Sequence, residues 1–502
     1  MENLMTSQRR PAPPRRGLFW RGAAALALAA SLLAACQSGT PAAVPTAAPA
    51  PAPTAAPAAP TAVPTPAKVE NQPVAGGPTL LRADISLRKV GDAGGGSIKL
   101  ARSPKDGFLY ILNAGQGLFR LNLDSNGGPA QVIATTGIFT DAVPAGMAFA
   151  PDGTLFVSGN RKVRTTSNQA IIRKGTPGGA SGFTWTTLAA TAPYPLSDTP
   201  FDHLVNGMAV SPDGKFLYIN SGSRTDHGEV ETNRGNFQNV REVPITSAIL
   251  RVPTDAENLI LPNDEAGLKP YFFADGTRNS FDPEFAPNGE LFAGENGPDA
   301  DYPDELNWLR EGKHYGFPWR FGQQDNPQQF PDYDSSKDKR LQQDFTAVQI
   351  GAYRTDPTFP KAPGAFTDPV ANNGPAAAQY RADDGSAHDA ATENKPLYSL
   401  TPHRSPLGLV FASDAKMPAD LRGEGDTLSA FLLSWGAAGG TLTDRGQDLL
   451  HLTLTREGDN YSAVTTQIAR GFKNPIDAVL IENRLYVLEF SGDSTIWELT
   501  FQ

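Results

Sequence analysis

The polar and apolar positions of this chain repeat one short pattern. An apolar pair runs into a Pro-Asp-Gly type turn, and an alternating strand leaves it: SPKDGFLYIL from Ser103, APDGTLFVSG from Ala150, SPDGKFLYIN from Ser211 and APNGELFAGE from Ala286. LIENRLYVLE from Leu480 is a degenerate copy. Proline presets φ for the turn, and Asp-Gly or Asn-Gly allows the positive φ that a tight hairpin needs. The first two copies are separated by about the length of one four-stranded propeller blade, and the later gaps leave room for inserted loops. Further strands are predicted at 117–123 and 247–252, and 494–499 is placed to close a ring with an N-terminal strand. The pattern predicts an all-β chain, a β-propeller. From 323 to 402 strand periodicity gives way to Asp, Pro, Gln and Ala. That stretch is expected to be a long loop insertion over one face, a lid or a partner surface.

Ahead of the repeats the pattern changes twice. Arg9, Arg10, Arg15, Arg16 and Arg21 precede an apolar run from Gly22 to Ala35 that ends at Leu33-Ala34-Ala35-Cys36. A charged head, a short apolar stretch and small residues describe a secretory signal, too short for a comfortable membrane span. The L-A-A-C ending resembles the bacterial lipobox, in which the cysteine is diacylated and becomes the mature N-terminus. Cys36 is the only cysteine, so it has no disulfide partner within the chain. A lone core cysteine is the alternative. Arg15-Arg16-Gly17-Leu18-Phe19 faintly resembles a twin-arginine signal. From Thr40 to Ala67 the chain is almost wholly Ala, Pro, Thr and Val, which cannot bury enough apolar surface to offset its ordering entropy. The expected organisation is a signal peptide over 1–35, a disordered stalk over 36–77 and the propeller over 78–502. The expected location is extracytoplasmic, with the membrane held only through a lipid on Cys36.

Composition narrows the partners. Hydrophobic residues at 39% and aromatics at 9% suit a folded body. The formal net charge is -10, and the signal that would be removed carries a basic cluster. No basic footprint for nucleic acid remains.

The densest chemistry lies between Asp275 and Trp319, DGTRNSFDPEFAPNGELFAGENGPDADYPDELNWLREGKHYGFPW. After the strand at 290–293 comes a loop carrying Glu295, Asp299, Asp301, Asp304 and Glu305 among Gly297 and Pro298. Several oxygen donors within about ten residues suit Ca²⁺, which accepts carboxylates and backbone carbonyls in forgiving geometry. An acidic solvated loop has the same composition.

The order of residues is more specific. R-N at Arg278, then P-N-G, G-E-N-G-P-D, D-E-L-N and H-Y-G-F-P-W resembles the soluble quinoprotein glucose/sorbosone dehydrogenase family. H-R-S-P-L-G-L-V-F from His403, F-L-L-S-W-G from Phe431 and G-F-K-N-P-I-D from Gly471 are similar to its later blades. The resemblance implies a six-bladed β-propeller binding pyrroloquinoline quinone (PQQ) and Ca²⁺. It covers roughly 95–320 and 400–502.

Residue by residue, the resemblance makes His203, nine residues before Pro212, the general base on a sugar hydroxyl. Histidine suits that task because its ordinary pKa lies near neutrality. A structural hydrogen-bonding histidine is the plainer reading. Arg278 matches a guanidinium that stabilises charge on the quinone oxygen; a partner to Asp275 or Asp282 is the alternative. Gly297 and Pro298 match the carbonyls that hold the cofactor's Ca²⁺, while Asp304, Glu305 and Tyr315 match the neighbourhood of a second, structural Ca²⁺. Arg470 and Lys473 are displaced candidates for cationic contacts to PQQ, and His403, Arg404 and Arg224 are substitutes that the motifs do not place. Several family positions differ. Trp435-Gly436 stands where a lysine is expected, Asn474 and Ile476 near two expected arginines, and Gly222-Ser223 in place of Gly-Asp. The expected glutamine before Gly146-Met147 is missing too. PQQ carries three carboxylates, so losing cationic contacts weakens its binding.

Two functions follow. One is PQQ- and Ca²⁺-dependent oxidation of an aldose or related polyol, passing electrons to an acceptor the sequence does not name. The other is a non-catalytic cell-surface propeller that binds a carbohydrate or protein partner, because the fold alone hosts many functions.

Overall fold

The computed structural model describes residues 74–123, 130–135, 142–178, 182–436 and 441–502. The signal peptide, most of the stalk and Cys36 lie outside the described residues. No helix among the described residues is long and apolar enough to cross a membrane.

Six sheets surround one axis. Their innermost strands are Ser97–Arg102, Val143–Phe149, Val205–Val210, Glu284–Phe285, Pro406–Phe411 and Pro475–Ile481, which number blades 1 to 6. Neighbouring inner strands pack on one another, and blade 1 packs on both blade 2 and blade 6. Ile85–Asp92 pairs antiparallel with Thr495–Phe501 as the outermost strand of blade 6. The ring is therefore closed by joining the two ends of the folded chain, as the pattern at 494–499 predicts.

The turn motif has one structural meaning throughout. Each copy is the hairpin between the innermost and second strands of a blade. Gly107, Gly153, Gly214 and Gly289 take φ of 74, 87, 74 and 84°, and Glu482 does the same job in blade 6 at 59°. Blade 5 has no copy; a longer connection from 412 to 426 with a short 3₁₀ turn at Ala419–Leu421 replaces it. The strands leaving these turns differ from the predicted alternation. Leu109–Asn113 and Leu291–Glu295 are buried at every residue. Each blade is sandwiched between two others, so both faces of its second strand are core.

The inner strands begin at the upper end of the axis and run down to the hairpins. Close approach there requires glycine: a Cβ on Gly207 would lie 1.8 Å from the carbonyl oxygen of Phe281. Blade 4 keeps only three strands, and the chain then enters the insertion. The insertion is more ordered than its periodicity predicts. It contains short strands at Gln324–Asp325, Ala371–Pro375, Gln379–Arg381 and Ala387–Asp389, a 3₁₀ turn at Pro327–Gln329 and an α-helical turn at Thr346–Gln349. Ala371–Pro375 lies parallel to the outer strand Asn460–Arg470 of blade 5, and Leu400 bridges to Asp304.

Candidate functional site

His203 sits just before the inner strand of blade 3, and Arg278 in the crossing from blade 3 to blade 4. The backbone ties them together: His203 N donates to Ser223 O at 2.9 Å, and Ser223 N to Arg278 O at 2.7 Å. Gly222 is needed behind them, since a Cβ there would lie 2.5 Å from His203 Cβ. The two side chains meet at the upper end of the axis, His203 Nε2 to Arg278 Nη1 at 3.5 Å. Both are buried, at 0% and 1% exposure, and neither lines the described cavities.

The neighbours fix the imidazole tautomer. Ser223 Oγ donates to Thr225 O at 2.9 Å, so it accepts from His203 Nδ1 at 3.0 Å. The lone pair is then on Nε2, facing the guanidinium. Burial, and after it the Arg278 charge, holds the His203 pKa well below its ordinary value. The ring is a neutral acceptor at physiological pH.

Arg278 is itself anchored. Its Nε donates to Asp226 O and its Nη2 to Asp226 Oδ1, each at 2.8 Å, and Nη1 reaches Asn296 O at 3.2 Å. The Arg278 partner is thus Asp226, not Asp275 or Asp282. Burial pushes the Asp226 carboxyl up, but His227 and Arg278 outweigh it and hold it down at about 2. His227 Nδ1 lies 2.9 Å from Asp226 Oδ2, and its ring stacks on Tyr353 with centroids 3.7 Å apart and planes 10° from parallel. The Tyr353 hydroxyl also donates to Asp226 Oδ2, at 3.2 Å. Tyr353 belongs to the insertion, which therefore closes over the pair.

The acidic loop lies beside this network. Asp304 accepts from Gly297 N at 2.7 Å and Ser405 N at 2.6 Å, and burial raises its pKa. Glu305 faces Glu295 across a strand register; burial raises them to about 7 and about 8. Asp299, raised by burial to about 6, accepts from Ala347 N of the insertion at 3.0 Å. Asp301 accepts from Gln342 and pairs with Arg381 and His403. Among the described residues no group of three or more His, Cys, Asp or Glu side chains is arranged to hold a metal. The oxygens that converge near Gly297 are mostly backbone. A Cβ at Gly297 would lie 3.0 Å from Asp304 Oδ1, 3.0 Å from Pro303 O and 3.3 Å from Tyr302 O.

The other predicted residues fall elsewhere. Tyr315 packs in the blade 3–blade 4 core, its hydroxyl donating to Trp308 O at 2.5 Å. Arg404 is buried and paired with Asp444 and Asp448. Arg224 donates to five backbone carbonyls and staples the loop around it. Lys473 is exposed, and its backbone N–H donates to Glu489. Sequence reasoning missed Ser223 as an imidazole partner, and Asp226, His227 and Tyr353 altogether. The run S-R-T-D-H-G-E from Ser223 carried a signal in its density of titratable groups, but Tyr353 carried none.

Residues 194–346 match the Glucose / Sorbosone dehydrogenase family model. That span holds His203, Ser223, Asp226, His227, Arg278 and the acidic loop, and excludes Tyr353, Arg404 and Lys473. No curated protein matches the sequence. Among solved structures, the soluble aldose sugar dehydrogenase of Escherichia coli in its apo form is similar at 15% identity and a TM-score of 0.50, over 83% of this chain and all of that one. A glucose dehydrogenase reaches 0.51 at 15% identity, over 82% of this chain and 99% of its own. The holo PQQ domain of Coprinopsis cinerea pyranose dehydrogenase also reaches 0.51, at 14% identity, over 83% of this chain and 95% of its own. At these identities the likeness is one of fold: the six-bladed propeller.

Proposed function

We propose that this propeller oxidises a hydroxyl of an aldose or related polyol at the upper end of its axis, using PQQ and Ca²⁺. The observation that carries the reading is the His203 Nε2 lone pair, fixed by Ser223 and aimed along the axis at Arg278. His203 takes the proton of the substrate hydroxyl; a neutral imidazole already in the acceptor tautomer needs no rearrangement to do so. Arg278, held rigid by Asp226, places a fixed positive charge beside the reacting oxygen. Burial of both groups excludes water and strengthens each electrostatic effect.

The cofactor pair fits this site unequally. The oxygen-lined cradle at Gly297, surrounded by carboxylates that burial drives toward protonation, suits a hard divalent cation. Asp304 and the Tyr302 and Pro303 carbonyls line it, and the family resemblance adds the Gly297 and Pro298 carbonyls as the groups that would hold it. The quinone fits less well: every guanidinium nitrogen of Arg278 already has a partner in Asp226, Asn296 or His203, so a carboxylate or carbonyl of the cofactor would have to compete for it. When bound, PQQ supplies a two-electron acceptor. Arg404 and Lys473 add nothing to its binding, the first being matched by Asp444 and Asp448 and the second lying on the outside.

That shortage of free cations favours a second reading, a propeller that kept the fold and binds a partner without catalysis. The two separate in one experiment on purified protein given PQQ and Ca²⁺. Dye reduction with aldoses that is lost in His203→Ala supports oxidation. No quinone absorbance retained after dialysis supports the non-catalytic propeller.

A further inference from the structure

The insertion covers the axis and also encloses a space of its own. A cavity of about 380 Å³ is lined by Ser335, Ser336, Asp338, Gln343, Arg381 and Tyr353, with Lys339, Leu341 and Val348 completing the wall. Tyr353 therefore stands between this pocket and the buried network around Arg278. It lines this outer pocket, and its ring lies flat on His227, two ion pairs from the Arg278–His203 contact. The wall combines an aromatic ring with hydroxyl, carboxylate, amide and guanidinium groups. That mixture recognises a polyhydroxylated ring, whose C–H face packs on an aromatic and whose hydroxyls take up planar polar side chains. Arg381 borders the pocket, its Nη1 paired with Asp301 at 3.3 Å and its Nε buried without a hydrogen-bond partner. The acidic network below is tied to the same arginine, because Asp301 also binds Gln342 and His403.

We propose that this outer pocket is a sugar-binding subsite and that Tyr353 is the gate between it and the His203–Arg278 pair. The choice of a sugar as ligand rests on the oxidation reading; the pocket and the gate rest on the geometry. In the seated state the Tyr353 hydroxyl bonds Asp226 and Ala347 N bonds Asp299. A sugar packed on the Tyr353 ring from the pocket side draws it off His227, breaks its bond to Asp226 and opens a way toward the His203–Arg278 pair.

The test uses the folded protein without cofactor, titrated calorimetrically with D-glucose, D-galactose and maltose and followed by hydrogen exchange. Saturable binding is expected for at least one sugar, with exchange slowed across 335–343 and faster at Asp226–Gly228 as the gate lifts. Arg381→Gln should weaken binding about tenfold, as expected for one lost charge-assisted hydrogen bond, and Arg381→Lys should recover part of it. Tyr353→Phe, which keeps the ring and drops the Asp226 bond, should speed exchange at Asp226–Gly228 without sugar. No saturable binding of any of the three sugars overturns the subsite, as does protection confined to 99–102 and 477–480. Unchanged exchange in Tyr353→Phe overturns the gate. With PQQ and Ca²⁺ added, sugar binding without dye reduction would refute oxidation and leave the subsite standing. Dye reduction whose KM is indifferent to Arg381→Gln would do the reverse.

Discussion

The two ends of the axis are built from the same six inner strands and manage charge in opposite ways. At the upper end, Asp226, Asp299, Asp301 and Asp304 are matched by Arg278, His227, His403 and a set of backbone N–H groups, and the insertion seals them. At the lower end the strands splay around a cavity of about 340 Å³, and one lysine faces three carboxylates. Lys99 of blade 1 reaches across the axis to Asp282, which leads into blade 4, with Asp477 of blade 6 at 3.9 Å; Glu284 lies close by. The upper cluster is a positioned set of donors around one lone pair. The lower one is a cross-brace, and it leaves carboxylates under-compensated. Buried charge alone therefore does not mark a reactive site. What distinguishes the upper end is that the orientation of each group is forced by a second one.

The sharpest way to break that comparison is at His203, the proposed base. His203→Ala is expected to lower turnover by about 10²–10⁴-fold, the usual range for a lost general base, with the fold intact by circular dichroism. A loss below tenfold would mean that the upper end is no more catalytic than the lower. The pH profile sharpens the same point. The His203 pKa is depressed, so the imidazole stays deprotonated on lowering the pH past the ordinary histidine range. The limb of kcat/KM that reports it should fall only on the acid side of about pH 6.5.

The lower end should answer through stability instead. Lys99→Met keeps the length of the stem and removes the ammonium, which also lies 4.5 Å over the Phe281 ring. Breaking a buried pair by deleting one partner costs about 3–5 kcal/mol. The midpoint of denaturant unfolding should shift accordingly, and a change under 1 kcal/mol would show that the brace carries little. A smaller effect is expected at Ser223. Ser223→Ala frees the imidazole to take either tautomer and should lower kcat about tenfold with KM unchanged, while Ser223→Thr, which keeps the hydroxyl, should restore it.

What the sequence disclosed follows the range of the interactions. The blades were legible because Pro-Asp-Gly chemistry is local: five of the six inner hairpins carry it or its Glu482 variant, and blade 5, which does without, was found only through resemblance. His203 was singled out by its spacing from such a turn and Arg278 by the R-N motif, both through resemblance. Asp226 and Tyr353 were not, since their partnership spans 127 residues and joins a blade loop to an insertion without periodicity. The alternation predicted for the second strands failed for a global reason: a two-sided core erases it. Arg404 shows the same limit from the other side. Its motif suggested a cofactor contact, but the two aspartates that neutralise it lie 40 and 44 residues further along the chain.

The least effect, and the most diagnostic of the lower end, concerns Glu284. Burial, then the charges of Asp282 and Asp477, raise its pKa to about 8, and no hydrogen bond from the Lys99 ammonium reaches it among the described contacts. An ordinary glutamate in the unfolded chain ionises near 4.5. Between those values the folded chain holds a proton that the unfolded chain has released. The stabilisation from that proton is complete below about pH 4.5, declines as pH rises, and is gone above about pH 8. Glu284→Gln imitates the protonated form at every pH. It should match wild type in acid and melt higher at pH 9 by on the order of 1–3 °C, the side chain being only partly shielded from the channel. A difference of the opposite sign would place a compensating cation in the channel, and the two ends of the axis would then be alike in how they hold their acids.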